Sequence, residues 1–152
     1  MLLLILVITY NNKDMAYTGS GVLEVTYNNP QIGQGTLFCK DGEGYTIDLG
    51  GKRSADDTAM VTTSGTRINQ MSVVCSKFEL PPIAWDKTVK DELAILKKLA
   101  GAMVGTTWTV TCIDGAIYQM QNGYPAGDIA GEGYDGTIPL TLVGDADAER
   151  IS

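Results

Sequence analysis

The chain contains no histidine. That removes the commonest general base, the usual zinc ligand and both the Ser-His and Cys-His nucleophile pairs. Most hydrolase mechanisms go with it, and nothing else in the sequence pairs a nucleophile with a base, so the chain reads as a protein that is not an enzyme. Cysteine is scarce: Cys39, Cys75 and Cys112 form an odd set with no CxxC. Such spacing gives no ligand cluster, so neither metal nor cofactor is expected. Isolated buried thiols folded in a reducing cytosol fit best, with a bond to another chain as the alternative. Positive charge is short as well, with 11 Lys+Arg against 18 Asp+Glu and a net charge of −7. Attraction to a phosphate backbone then has no source, which excludes sequence-specific nucleic-acid binding. Long apolar runs are missing too. The longest, Leu-Leu-Leu-Ile-Leu-Val-Ile at residues 2–8, cannot cross a bilayer, and no membrane partner is expected.

What is present points to strands. Glycine occupies 18 of 152 positions, and hydrophobic residues make up 44%. That is enough apolar material for one core in one domain, with turns that favour β structure. The chain divides into an N-terminal extension or arm at 1–15, a β domain at 16–144 and an acidic tail at 145–152. The run at 2–8 has three readings: an extension upstream of a natural start at Met15, a genuine first strand or arm, or an export signal. It lacks the basic region and the small-residue cleavage site of a signal peptide.

Val22, Leu23, Val25 and Tyr27 predict a first strand, ended by Asn28-Asn29-Pro30, and a second follows at 36–40. Residues 41–57 read as a hairpin with a long polar tip. Residues 66–80 read as a long strand stopped by Pro81-Pro82. A helix is predicted over 88–100, with Thr88 as N-cap, Asp91 in capping-box position, Gly101 past the end and an apolar stripe of Val89, Leu93, Leu96 and Ala100. Asp91 and Glu92 at its start and Lys97 and Lys98 at its end match the helix dipole. The dipeptide Asp114-Gly115 predicts a type I′ hairpin between 106–113 and 116–121. One face of its first strand carries Trp108, Val110 and Cys112, the other Thr107, Thr109 and Thr111. Pro139 places the last strand, 137–143, at an edge or a bulge.

Three patterns resemble chemical motifs without their context. Residues 131–136 match GxGxxG, but a strand with a proline follows where a phosphate-binding helix would have to start. Asp145, Asp147 and Glu149 alternate like a calcium loop that lacks its glycine and its bidentate glutamate, so a solvated acidic tail accounts for them. Trp85 and Trp108 are too scattered among the tyrosines to form a sugar platform, and packing accounts for them.

The order of these elements resembles the tail tube proteins of tailed bacteriophages. The residues that carry the resemblance lie within 71–144: the strand 71–80, the helix 88–100, the hairpin 108–120, Asn122-Gly123-Tyr124-Pro125, and the closing Gly136-Thr-Ile-Pro-Leu-Thr-Leu-Val-Gly144. The resemblance implies a mainly β domain with one α-helix, a small β-sandwich or barrel flanked by a helix, whose strands contribute to a β-barrel shared between subunits. It further implies homohexameric rings stacked into a tube that surrounds a tape-measure protein and conducts double-stranded DNA without binding it specifically. A tail sheath is a partner if the tail contracts, the contractile type being favoured by the short length. The place of residence would be the virion tail, assembled in the host cytoplasm. By analogy, residues 41–57, with Asp41, Glu43, Asp48, Lys52, Arg53, Asp56 and Asp57, are the candidate contact between rings. Thr107, Thr109 and Thr111 are the candidate lumen or barrel face. Two alternatives stand beside this: a monomeric β-sandwich that binds carbohydrate or a capsid surface, and the tube of a contractile injection or secretion machine.

Overall fold

The computed structural model describes residues 19–54, 60–68 and 71–152, and among them it is mainly β with one α-helix, as expected. The first strands are β1 (Val22–Asn29), β2 (Gly33–Phe38), β3 (Thr46–Asp48), β4 (Gly51–Ser54), β5 (Met60–Val61) and β6 (Arg67–Ile68). After β7 (Met71–Val74) and β8 (Ser76–Ala84) comes α1 (Glu92–Ala100). The chain closes with β9 (Thr106–Cys112), β10 (Ile117–Pro125), β11 (Thr137–Gly144) and β12 (Glu149–Arg150). The main antiparallel sheet runs in the order β2-β1-β9-β10-β11-β8-β3, with β12 added against β10.

β1 turns into β2 where the sequence predicts, and Asn29 holds the turn. Its Oδ1 accepts from the Gln31 amide at 2.9 Å and the Ile32 amide at 3.1 Å. Its Nδ2 donates to Val104 O at 2.9 Å and Thr106 Oγ1 at 3.0 Å. A buried amide satisfied on both sides ties the first hairpin to the start of β9. The β9–β10 hairpin also stands where expected, with Trp108, Val110 and Cys112 buried. Its turn differs from the type I′ expectation. Of the loop residues only Gly115 has positive φ, 94°, and its amide donates to Cys112 O at 3.1 Å. This is the three-residue loop with glycine at the left-handed position. Asp114 Oδ1 accepts from the Ala116 amide at 3.0 Å, so the aspartate serves the turn through its side chain.

β10 bends between its two partners. Residues 117–120 pair with β9, Tyr124 and Pro125 pair with β11, and the register shifts between them, where Asn122 sits at φ 52°. Gly123 lies at that bend against Trp108, where a Cβ would come within 2.6 Å of Cδ1. The sheet thereby folds over a single core that includes Val25, Phe78, Ile83, Trp108 and Leu142. Its two ends approach at one bridge, Cys39 to Ile83, where the Lys40 amide donates to Pro82 O at 2.7 Å. The bridge does not extend into a ladder, and the sheet is not closed into a barrel.

Several expectations are corrected. Residues 41–57 do not form one hairpin: β3 pairs with β8 and β4 pairs with β7. The expected long strand is divided among β6, β7 and β8, and Pro81-Pro82 lie inside β8 rather than after it. The prolines are tolerated because the ladder slips there. Ile138 pairs with Ile83 and Leu140 with Leu80, so Pro139 faces the Pro81-Pro82 pair across a bulge where fewer amides are needed. Pro139 thus sits at a bulge, as one branch of its reading had it, but β11 is an interior strand between β10 and β8.

The helix starts later than predicted, at Glu92, with Asp91 as a left-handed N-cap that makes no side-chain cap bond. Asp86 competes for the preceding turn: its Oδ1 accepts from the Thr88 amide at 3.1 Å, the Thr88 hydroxyl at 2.9 Å and the Val89 amide at 3.3 Å. These bonds pull the Asp86 carboxyl below its ordinary range. Val89 is consequently 84% exposed, and the buried stripe is Glu92, Leu96 and Leu99. Glu92 Oε2 accepts from the Asp86 amide at 2.6 Å, fastening the turn to the helix. Gly101 caps the far end with its amide on Lys97 O at 3.2 Å, as predicted.

The acidic end keeps Asp145, Asp147 and Glu149 exposed while its backbone is held. Asp145 O accepts from the Ser76 amide at 3.1 Å, and the Ala148 amide donates to Leu49 O at 3.1 Å. β12 then pairs with Tyr118 and Gln119 of β10.

Candidate functional site

Three surfaces are candidates for function: a ribbon that leaves the main sheet, the threonine face of β9 and a groove beside α1. In the ribbon, β4 and β7 form a two-stranded sheet of their own, with Gly51 opposite Val74 and Lys52 opposite Val73. Further along the chain β5 and β6 make a second two-stranded ladder around the turn at 62–66, closed by the Thr62 amide on Thr66 O at 2.8 Å. Neither ladder joins the main sheet among the described residues. A two-stranded ribbon is marginal by itself in water, and this one shows Val73 67% exposed. The strand edges that β4 and β7 do not use for each other carry backbone donors and acceptors suited to another strand.

The predicted contact residues divide around this ribbon. Asp41 and Glu43 are exposed in the loop before β3, where Glu43 approaches Lys40 at 3.9 Å. Asp48 ends β3 and is joined to Arg53 of β4 through two hydrogen bonds, Nη1 to Oδ2 at 3.1 Å and Nη2 to Oδ1. Arg53, followed by the Gly50 amide, holds the Asp48 carboxyl below its ordinary range. Lys52 is exposed on β4 beside Val73. Asp56 and Asp57 lie outside the described residues. Among the described residues the polar stretch 41–54 therefore divides into a loop, an edge strand and one leg of the ribbon. Met-Ser-Val-Val at 71–74 is strand-forming, but nothing local in it separates the ribbon from the strand that follows.

Thr107, Thr109 and Thr111 are half-buried on the face of β9 opposite Trp108, Val110 and Cys112. Thr107 Oγ1 donates to Gln121 Oε1 at 3.0 Å, so this face is knitted to β10 through side chains.

The groove was not anticipated. It has a volume of about 500 Å³ and lies between the Leu93, Ala94 and Lys97 side of α1 and the rings and chains of Trp85 and Ile129. Trp85 is fixed on several sides. Its Nε1 donates to Asp91 Oδ1 at 3.0 Å, Lys87 Nζ stands 4.8 Å from its ring centroid, and Gly131 packs so closely that a Cβ would come within 2.4 Å of Cζ3. Lys87 Nζ also donates to Gly133 O at 3.1 Å, so the GxGxxG stretch is a loop built around a tryptophan. Pairing of Glu132 with Thr137 closes that loop, and Tyr134 at its tip is 97% exposed.

The cysteines are distributed differently from the expectation of three buried thiols. Cys112 is buried, Cys39 is half-buried and Cys75 is exposed at the junction of β7 and β8. Burial pushes the Cys39 thiol up to about 11 and raises Cys112 as well. Cys112 Sγ lies 3.3 Å from Tyr45 Oη, and that hydrogen bond, with burial behind it, pushes the Tyr45 phenol up to about 12. Among the described residues no three His, Cys, Asp or Glu side chains gather as a metal site, and no helix is long and apolar enough to cross a membrane.

No protein-family model matches this chain, and no curated protein matches it.

Proposed function

We propose that the chain is a structural subunit that assembles with copies of itself, as tail tube proteins do, into hexameric rings stacked as a hollow tube. The ribbon of β4 and β7 carries this reading. It stands apart from the main sheet, has strand edges suited to another strand, and presents Val73 to solvent. Pairing ribbons from neighbouring copies would bury that apolar surface and extend the ribbon into one sheet shared by a ring. Asp48 and Arg53, joined at its root, would set the angle at which the ribbon leaves the body. A tube of subunits carrying −7 each would repel a phosphate backbone and let double-stranded DNA pass without being held. In this reading the tube encloses a tape-measure protein, meets a sheath if the tail contracts, and resides in the virion. The tube of a contractile injection machine uses the same assembly.

Negative-stain electron microscopy of the concentrated protein tests the proposal. Rings or hollow rods with sixfold views are the expected result. A monodisperse monomer at every concentration would overturn it and favour the second reading, a monomeric binding module, for which the Trp85 groove is the supporting observation.

A further inference from the structure

The groove beside α1 and the exposed turn at 133–136 have complementary chemistry. The groove has a fixed aromatic wall, Trp85, held through Asp91, Lys87 and Gly131. Its remaining lining is mostly aliphatic, from Leu93, Ala94, Ala100 and Ile129, with the side chains of Lys97 and Asp91 in addition. A volume of about 500 Å³ lies in the range that accepts a ring-sized group. A preorganised, mostly apolar slot whose one acid is turned to the Trp85 indole and whose one cation is Lys97 suits an aromatic side chain carried on an acidic segment.

The chain presents such a segment. Tyr134 is 97% exposed, and on either side of it Glu132 and Asp135 are exposed carboxylates. A phenol ring held out on a short turn, with a polar tip, is the kind of anchor that dominates interfaces when it finds a pocket. The charges agree. Four of the 11 basic residues, Lys87, Lys90, Lys97 and Lys98, lie within residues 87–98 of a chain whose net charge is −7. The same stretch holds two acids, Asp91 and Glu92, so residues 87–98 keep a formal surplus of two positive charges. An acidic turn from another copy meets repulsion over most of the surface and attraction here.

We infer that the groove between α1 and Trp85 takes the Tyr134 turn of a second copy of this chain, with Lys97 facing Glu132 or Asp135 of that turn. The inference rests on the self-assembly reading and adds to it a contact that the ribbon does not make. The occupant is a second copy because the complementary feature, acidic and aromatic together, belongs to this same sequence.

A photo-reactive benzoylphenylalanine placed at position 134 tests it, in the full chain, mixed with an isotopically heavy copy under conditions where the protein associates. Irradiation is expected to give heavy-to-light cross-links that map to the peptide of residues 91–97. Lys97→Glu should abolish them, and combining it with Glu132→Lys and Asp135→Lys should restore them. Tyr134→Ala, an exposed position that leaves the fold intact, should weaken association by roughly tenfold or more in sedimentation. Association without these links, or links confined to one copy, overturns the groove contact while self-assembly stands. A chain that sediments as a monomer throughout overturns both.

Discussion

At the scale of single residues, the groups that fix this fold are small or polar. Gly50 has φ 72°, and a Cβ there would lie 2.6 Å from both Ala146 O and Val74 O and 2.7 Å from Ser76 N. The position joins β3 to the ribbon and meets the C-terminal segment, all through backbone atoms that cannot move aside cheaply. Gly50→Ala is expected to lower stability by about 1–3 kcal/mol, from the left-handed strain and the clash together. Urea unfolding would report it as a lower midpoint at unchanged slope. The half-buried Cys39 thiol and the Tyr45 phenol supply a pH signature. Both stand above their ordinary values of 9.0 and 10.0 when folded, at about 11 and about 12. Their contribution is therefore complete below the ordinary values and is lost as pH rises through the folded ones, because the unfolded chain releases these protons first. Unfolding midpoints should hold below pH 9 and decline between about 9 and 12. A flat or rising profile would contradict the raised state of the Cys39 thiol by burial and of the Tyr45 phenol by its hydrogen bond with Cys112.

At the scale of elements, α1 and the ribbon behave in opposite ways. The helix depends on the core: Leu96 and Leu99 are fully buried, while Val89, on the predicted stripe, is not part of the helix. Leu96→Ala should cost about 2–5 kcal/mol and Val89→Ala less than about 0.5, an ordering that equilibrium denaturation can check. On the proposed reading, the ribbon depends on a second copy. Val73→Asp should leave the unfolding midpoint of the domain nearly unchanged, since the side chain is 67% exposed, yet reduce association sharply in sedimentation. A variant that assembled normally would move the self-assembly surface elsewhere.

At the scale of the whole molecule, charge separates a conduit from a binder. With 18 acidic residues against 11 basic ones, neither the subunit nor its assemblies should retain double-stranded DNA at about 150 mM salt in a gel-shift or co-sedimentation assay. If the proposed tube forms, lysine replacements on its channel wall should introduce retention and slow DNA passage. Passage at an unchanged rate would remove repulsion as the reason for the acidic balance.

Much of this architecture is legible in the residues themselves. Alternation across Trp108, Val110 and Cys112, the Asp114-Gly115 hairpin, the Asn29-Pro30 turn and the Gly101 cap are short-range statements, and each involves neighbours within a few positions. The lack of histidine and the acidic balance bounded the chemistry in the same direct way. What the sequence left open depends on distant partners. Pro81 and Pro82 stay within β8 because Pro139 lies opposite at a ladder slip, and the start of α1 moved because Asp86 and Glu92 compete for the preceding turn. Two features by which the chain resembles a tail tube, a strand stopped by Pro-Pro and a closing edge strand, proved different for that reason. The groove is formed by residues 85, 93, 97 and 129, and no local period joins them. The amino-acid sequence by itself determined the β character, the turns, the helix and its polarity, and the negative charge, because propensity and composition act locally or additively. Only the tertiary structure decided which strands pair, that the sheet stays open, that β4 and β7 stand apart, and that a tryptophan, a helix face and an isoleucine enclose a slot. Those outcomes depend on contacts between residues far apart in the chain, which no reading of neighbours can rank.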